Sequence, residues 1–377
     1  MKFSSIDVAL AEIQEGRIVI IVDDEDRENE GDLMVAAEKV TPEAINFMAT
    51  HGRGLICLSM TGQRLDELQI PLMVSDHVNT TPYGTAFCVA IEARRGVSTG
   101  ISASDRATTI LTAIDPKTKP ADLARPGHIF PLRARDGGVL VRAGQTEASV
   151  DLASIAGLTP AAVICEIMRE DGSMARVPDL LEFAQLHGLK MITVADLIRY
   201  RLRTERFVRN VGESTLPTRH GKFRMIAFES ILDRETHFAL VKGNIENGED
   251  VLVRVHAHCL TGDVFGSRSC HCQEQMDRAL EFIEKAGRGV LLYLRQMGKS
   301  NAAAELDFHG KHSMDSNETI GLRGEQREYG IGAQILAALN IHSMKILTNH
   351  PRKLVALEAY GLKIAAQVPF APVKSSQ

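Results

Sequence analysis

The chain has 377 residues, a formal net charge of −5, 44% hydrophobic residues and 24% charged ones. That length exceeds what one ordinary core holds and points to two domains. The acidic balance excludes a bulk nucleic-acid binder, which needs a basic face, and no apolar run approaches the ~20 residues of a membrane span.

Ser4 or Ser5 can cap a first helix whose apolar stripe is Ile6, Ala9, Leu10 and Ile13, with Gly16 as its stop. The acidic residues in that stripe's polar face, and the lack of a continuous apolar core, exclude a signal peptide. Residues 18–22 read as a buried strand feeding an acidic loop. Thr41-Pro42-Glu43 opens a second helix in cap-then-proline order. Short β-branched runs at 54–60, 85–91 and 161–167 predict strands, and the patterns at 104–113, 146–155 and 178–187 predict helices. Through about residue 200 this mixture implies an α+β or α/β domain.

Residues 203–219 are polar, contain Gly and Pro and lack periodicity, so they are expected to be a linker. Strands resume at 223–228, 238–241 and 251–255. A helix at 273–286, a strand at 289–294 and a helix–strand–helix over 332–360 complete a second α/β domain. The expected division is 1–202, linker 203–219, and 220–377.

Eight of the ten residues 23–32 (DDEDRENEGD) are Asp, Glu or Arg. Carboxylates crowded into one loop repel unless cations or Arg offset them. Arg27 can hold a phosphate or a carboxylate, while Glu28, Glu30 and Asp32 present oxygens suited to Mg²⁺. A solvated charged loop is the other reading of the same composition.

The exact string resembles that of 3,4-dihydroxy-2-butanone 4-phosphate synthases, which act on ribulose 5-phosphate in riboflavin biosynthesis. The resemblance covers residues 1–202 and includes HGRGLICLSMT (51–61), TPYGTAFCVAIEA (81–93), GISASDRATTI (100–110), RPGHIFPLRARDGGVLVRAGQTEASVDL (125–152) and VICEIMREDGSMARVPDL (163–180). It implies a Mg²⁺ (or Mn²⁺) ion held through Glu28, substrate contacts from Arg27 and Asp32, acid–base groups at His128 and Glu166, and a phosphate end held by Arg142 and Thr146. An enolisation needs such a Lewis acid beside groups that move protons. Where the family has a metal-ligating His, this chain has Gln145. A Gln oxygen can still meet Mg²⁺ but cannot accept a proton, so a weakened site and an inactive one are both open. Cys57, Cys88 and Cys165 lie in apolar runs and read as buried small hydrophobes.

Further on, Cys259, Cys270 and Cys272 stand at C-x10-C-x-C spacing. Three thiolates suit zinc and leave a fourth position, in keeping with a reducing compartment. His258 and His271 flank them as alternative ligands. This half resembles GTP cyclohydrolase II, through GRGVLLYLRQ (287–296), REYGIGAQIL (327–336) and LTNHPRKLVALEAYGL (347–362). By position Arg254, Gln275, Thr348 and Lys353 match GTP contacts, Arg327 the family's nucleophilic Arg and Glu325 its acid–base Asp. The family's Glu-Gly-Arg turn is here Met297-Gly298-Lys299. Residues 300–319 replace a longer stretch carrying a Tyr and a Thr, and no Tyr occurs between Tyr293 and Tyr329.

The expectation is therefore a cytoplasmic, homodimeric synthase acting on a phosphosugar, with a cyclohydrolase-like domain that is inactive, and with no nucleic-acid or membrane partner. Two rivals stand beside it: a non-catalytic or regulatory pathway protein, and a fully bifunctional enzyme.

Overall fold

The computed structural model describes residues 3–24, 27–75, 78–231, 234–268, 270–295, 322–348 and 362–369. The chain divides into two compact units, Met1–Arg201 and Leu202–Gln377. Each is built on a mixed seven-stranded sheet with helices packed against it.

In the first unit α1 (Ile6–Gln14) begins at Ser5, whose hydroxyl accepts from the Val8 amide, and buries the expected stripe. The strands β1 (Val19–Val22) and β2 (Gly31–Ala36) form an antiparallel hairpin with the acidic loop at its tip. Both strands are buried along their whole length, because sheet neighbours and helices cover both faces. The rest of the sheet is β3 (Cys57–Thr61), β4 (Ile91–Ala93), β5 (Leu123–Ala134), β6 (Ala161–Glu166) and β7 (Lys190–Thr193), in the order β4-β5-β3-β6-β2-β1-β7. The helices are α2 (Pro42–Phe47), α3 (Gly62–Glu67), α4 (Ala103–Ile114), α5 (Gln145–Ile155), α6 (Val177–His187) and α7 (Val194–Thr204). One continuous core runs from Ile20 and Leu33 through Leu58 and Val163 to Ile110.

β2, β7, α3 and α7 have no counterpart among the expected elements, and three further differences stand out. The run 85–91 is not one strand: Phe87 and Cys88 make single bridges to Leu132 and Leu72, and only Ile91–Ala93 joins the sheet. Its backbone divides its hydrogen bonds between β5 and the 71–73 segment, so no continuous ladder forms. The long strand β5 had no counterpart in the prediction, because Pro126 and Pro131 interrupt its pattern. Residues 203–219 are not an irregular linker either. α7 ends at Thr204, and β8 (Val208–Thr218) pairs antiparallel with β9 (Gly221–Ser230). β8 is mostly solvent-exposed, and an edge strand with so little to bury carries a polar sequence that reads as a loop.

The second unit adds β10 (Thr236–Lys242), β11 (Val251–Ala257), β12 (Gly289–Leu294), β13 (Ser343–Leu347) and β14 (Lys363–Val368), ordered β14-β13-β11-β12-β10-β9-β8. Strands β11 to β14 pair in parallel, while β8, β9, β10 and β12 pair antiparallel. α8 (Cys272–Ala286) crosses one face, burying Ala279, Leu280 and Ile283. A helix over Leu322–Ala338 follows.

Candidate active site and thiolate centre

The acidic loop is organised by its first residue. Asp23 has a fully buried side chain and accepts from the amides of Glu28 (3.1 Å) and Glu30 (2.8 Å) and from Arg27 Nη1 (2.7 Å). The loop thereby folds back on its own strand, with Glu28 Oε1 on Arg27 at 2.7 Å and Glu30 Oε1 3.7 Å from Arg176 Nη1. Asp32 sits on β2 directly opposite Glu166 on β6, and the Leu55 amide donates to Glu166 Oε2 at 2.9 Å. Gly54 is required there: a Cβ would lie 2.5 Å from the Glu166 carbonyl and 2.6 Å from its carboxylate.

Burial raises the pKa of Asp32 well above the usual carboxylate range, and Glu166, Glu28, Glu30 and Asp23 add their repulsion. Desolvation likewise raises Glu28, with Arg27 opposing, and raises Glu30 beside Glu28. A cluster that penalises its own charge in this way fits a divalent cation.

A basic edge borders this cluster. Arg27 reaches Asp23, Glu28 Oε1 (2.7 Å) and Gln145 Oε1 (2.7 Å), with its guanidinium 5.1 Å from the centre of the Tyr83 ring. Arg142 pairs with buried Glu147 (2.7 Å) and donates to the Tyr83 carbonyl (3.2 Å) and to Thr85 Oγ1 (3.1 Å). Gln145 and Thr146 are the first two residues of α5 and both are buried. The first-turn amides of α5 have no intrahelical acceptor, so they suit an anion.

Arg27, Glu28, Asp32, Arg142, Gln145, Thr146 and Glu166 are thus gathered around one hairpin tip, strand end and helix start. His128 is not in hydrogen-bond contact with them. Its Nδ1 lies 2.6 Å from Glu92 Oε2, and β3 separates its strand from β6, so roughly 10 Å of sheet lies between the two backbones. The roles of Asp23, Glu147 and Glu92 were not legible beforehand. Glu147 had a signal, a carboxylate five residues beyond Arg142 in the same motif. Burial pushes Cys165 up to about 12, and Cys57 higher still, so neither is a thiolate nucleophile.

In the second unit Cys259, Cys270 and Cys272 bring their sulfurs within 4.8 Å of one another. Cys259 follows β11, and Cys272 starts α8. Gly262 passes between them: a Cβ would lie 2.6 Å from Cys270 Sγ and 3.0 Å from Cys259 Sγ. Asp263 pins this loop, accepting from the Cys259 amide (2.9 Å) and the Tyr293 hydroxyl (2.9 Å) and contacting His256 Nε2 (3.0 Å). Burial would raise Asp263, but the His256, Cys259 and Tyr293 contacts outweigh it and its pKa is lowered. Three closely set thiols fit zinc. Among the described residues the flanking histidines stay out of the group: His271 Nδ1 faces Glu274 at 3.6 Å, and the His258 ring packs edge-on to Tyr293.

Arg254 donates to Gln275 Oε1 (3.0 Å) and to the Leu347 carbonyl (3.1 Å), next to Thr348. Lys353, the Met297-Gly298-Lys299 turn and residues 300–319 lie outside the described residues, as do the side chains of Glu325 and Arg327, whose backbone is helical.

The profile of 3,4-dihydroxy-2-butanone 4-phosphate synthase matches residues 7–200, with the acidic loop and both flanking strands inside it. The chain belongs to the 3,4-dihydroxy-2-butanone 4-phosphate synthase family. A GTP cyclohydrolase II profile matches residues 208–369. Riboflavin biosynthesis protein RibBA of Aquifex aeolicus is 55% identical over 378 residues, covering 98% of this chain and 93% of that protein. Bifunctional riboflavin biosynthesis protein RIBA 1, chloroplastic, of Arabidopsis thaliana is 50% identical over 375 residues, covering 98% of this chain and 69% of that one. The crystal structure of RibBX, a two domain 3,4-dihydroxy-2-butanone 4-phosphate synthase from A. baumannii, matches with a TM-score of 0.77 at 40% identity, over 98% of this chain and all of that one. A 3,4-dihydroxy-2-butanone 4-phosphate synthase in complex with two magnesium ions matches with a TM-score of 0.51 at 41% identity, over 54% of this chain and 98% of that one.

The protein is therefore a riboflavin-biosynthesis enzyme with a synthase half and a cyclohydrolase-II-like half. The synthase half suits magnesium, and the thiolate centre suits zinc. Among the described residues no helix is long and apolar enough to cross a membrane.

Proposed function

We propose that residues 1–202 convert D-ribulose 5-phosphate to L-3,4-dihydroxy-2-butanone 4-phosphate and formate. The observation that carries this is the meeting of the acidic hairpin tip, the Asp32–Glu166 pair and the basic start of α5 in one place. Glu28 would hold the Mg²⁺ or Mn²⁺ ion, and the ion supplies Lewis acidity toward carbonyl and hydroxyl oxygens of the sugar. Arg27 and Asp32 orient the sugar; Arg142, Thr146 and the α5 amides receive its phosphate. Glu166, held by the Leu55 amide, moves protons at this cluster, while the expected acid–base role of His128 stands apart from it, since Glu92 holds that ring two strands away.

In the second unit Cys259, Cys270 and Cys272 would hold zinc, but GTP is not turned over. Ring opening needs a phosphate clamp and a proton donor beside that metal. Met297 lacks a carboxylate, and Lys299 offers a point charge in place of a bidentate guanidinium. No tyrosine hydroxyl is available between Tyr293 and Tyr329. Arg254, Gln275, Thr348 and Arg327 then keep positions in a unit whose partners are lost, and such units fail non-additively. The A. baumannii protein, similar over the whole chain, is described as a two-domain synthase, which agrees with this reading.

The bifunctional reading is favoured by the two relatives above, at 55% and 50% identity, of which the Arabidopsis thaliana protein is named bifunctional. One experiment separates the two. Purified full-length protein with Mg²⁺ and Zn²⁺ is expected to release formate from ribulose 5-phosphate, and neither formate nor diphosphate from GTP. Robust GTP turnover would establish the bifunctional reading, and loss of both activities the non-catalytic one. We further propose that the protein is a cytoplasmic homodimer without nucleic-acid or membrane partners; pairing would cover the exposed apolar side chains of Met73, Val74 and Val78.

A further inference from the structure

Gln145 occupies the position at which the resemblance implies a second metal ligand, yet both ends of its amide are already committed. Oε1 accepts from Arg27 Nη1 at 2.7 Å, and Nε2 points to the Glu30 carbonyl at 3.5 Å. Reversing the amide would set an NH₂ group against a guanidinium and an oxygen against a carbonyl, so the neighbours decide its orientation. The side chain is 4% exposed, which leaves it little room to turn elsewhere.

Arg27 has no more room than Gln145. Its side chain is 6% exposed, held by Asp23 and Glu28 at 2.7 Å each, covered by the Tyr83 ring, and flanked by Gly144, where even a Cβ would come within 3.1 Å. An ion ligated to Gln145 Oε1 would compete for that oxygen with a buried guanidinium that has no other place to go. The carboxylates of Glu28, Glu30, Asp32 and Glu166 offer the ion charged oxygens in place of one neutral amide oxygen already held by Arg27.

We propose that Gln145 is a positioning residue and not a metal ligand: its amide oxygen fixes Arg27 against the acidic loop, and the divalent ion is held by loop carboxylates led by Glu28, with water and substrate oxygens completing its shell. The replacement of an imidazole by an amide then costs the site a ligand but keeps Arg27 aimed at the sugar. This inference rests on the synthase reading for its substrate, but not for its metal test.

That test is direct Mn²⁺ binding to the full-length protein, followed by electron paramagnetic resonance without turnover. Gln145→Met, which keeps the side chain's length and removes its acceptor, and Gln145→Ala are expected to bind Mn²⁺ as wild type does. Glu28→Ala is expected to bind at least about 10-fold more weakly. In formate assays Gln145→Met should raise KM for ribulose 5-phosphate about tenfold at nearly unchanged kcat, the worth of one charge-assisted hydrogen bond. Adding Gln145→Met to Arg27→Ala should cost nothing further, because the amide acts through Arg27. A tenfold or greater loss of Mn²⁺ affinity in either Gln145 variant, persisting in the Arg27→Ala background, would overturn the proposal and make Gln145 a ligand. Absence of formate release from the wild type would defeat the synthase reading alone, with the Mn²⁺ comparison still deciding the role of Gln145.

Discussion

Asp32 and Glu166 face one another across the antiparallel pair of β2 and β6, at the end of the sheet where the acidic loop folds over. Directly opposed residues in such a pair share a face, so two carboxylates meet where one of them is buried. The metal-free fold carries this repulsion as a cost, in the place where the proposed chemistry needs negative charge.

That cost is measurable. An acid whose folded pKa is raised binds protons more readily folded than unfolded; its stabilising contribution is full at low pH and lost as pH climbs through the raised value. Burial, then Glu166, raise Asp32 in this way. Asp32→Asn should therefore raise the melting temperature of the metal-free protein at about pH 8, by about 2–4 °C per kcal/mol of relieved repulsion in a domain of this size. The gain should shrink toward about pH 4, and formate release should be lost. Calorimetry with and without chelator at both pH values checks it; an equal shift at both would assign the effect to packing.

Restoring an imidazole at position 145 should tighten the ion. Gln145→His is expected to lower the Mg²⁺ concentration for half-maximal formate release by about 10–100-fold, the usual worth of a coordination-shell change. An unchanged Mg²⁺ requirement would mean that the site has diverged at further positions.

Two substitutions separate metal from phosphate. Glu28→Ala should cut formate release sharply and raise the Mg²⁺ it requires at least about 10-fold, since the neutral Gln145 amide cannot replace a charged ligand. Arg142→Ala should chiefly raise KM for ribulose 5-phosphate, because a charge-assisted phosphate contact is made in ground and transition states alike. Should Arg142→Ala reduce kcat with KM unchanged, the residue acts on the reacting carbons.

In the second unit, zinc should depend on a glycine as much as on thiols. Gly262→Ala puts a Cβ 2.6 Å from Cys270 Sγ and 2.9 Å from Cys272 Cβ, which the pinned loop cannot yield without separating the sulfurs. Metal analysis should find about one zinc per wild-type chain and at most a small fraction in Gly262→Ala. Full zinc occupancy in that variant would show that the loop moves freely.

The family of both halves was legible in local strings, since the acidic loop, the start of α5 and the cysteine spacing are contiguous or nearly so. Capping and periodicity marked α1, α2, α4, α5, α6 and α8, because each element signals its own start and buried face. β5 and β8 were missed: two prolines interrupt the first, and the second has almost no buried face to record in its residues.

The sequence by itself determined the family, the donor types and the expectation of a divalent ion beside a phosphate. Which carboxylates meet, and which side chains hold them there, depended on contacts between residues far apart in the chain. Asp32 lies 134 positions from Glu166 and Arg27 lies 118 from Gln145. Strand register and helix docking create those neighbours, and no local pattern encodes them. The same physics decided Gln145: composition marks it as an amide in a ligand's position, whereas packing gives its oxygen to Arg27, since a buried guanidinium must find its acceptors nearby.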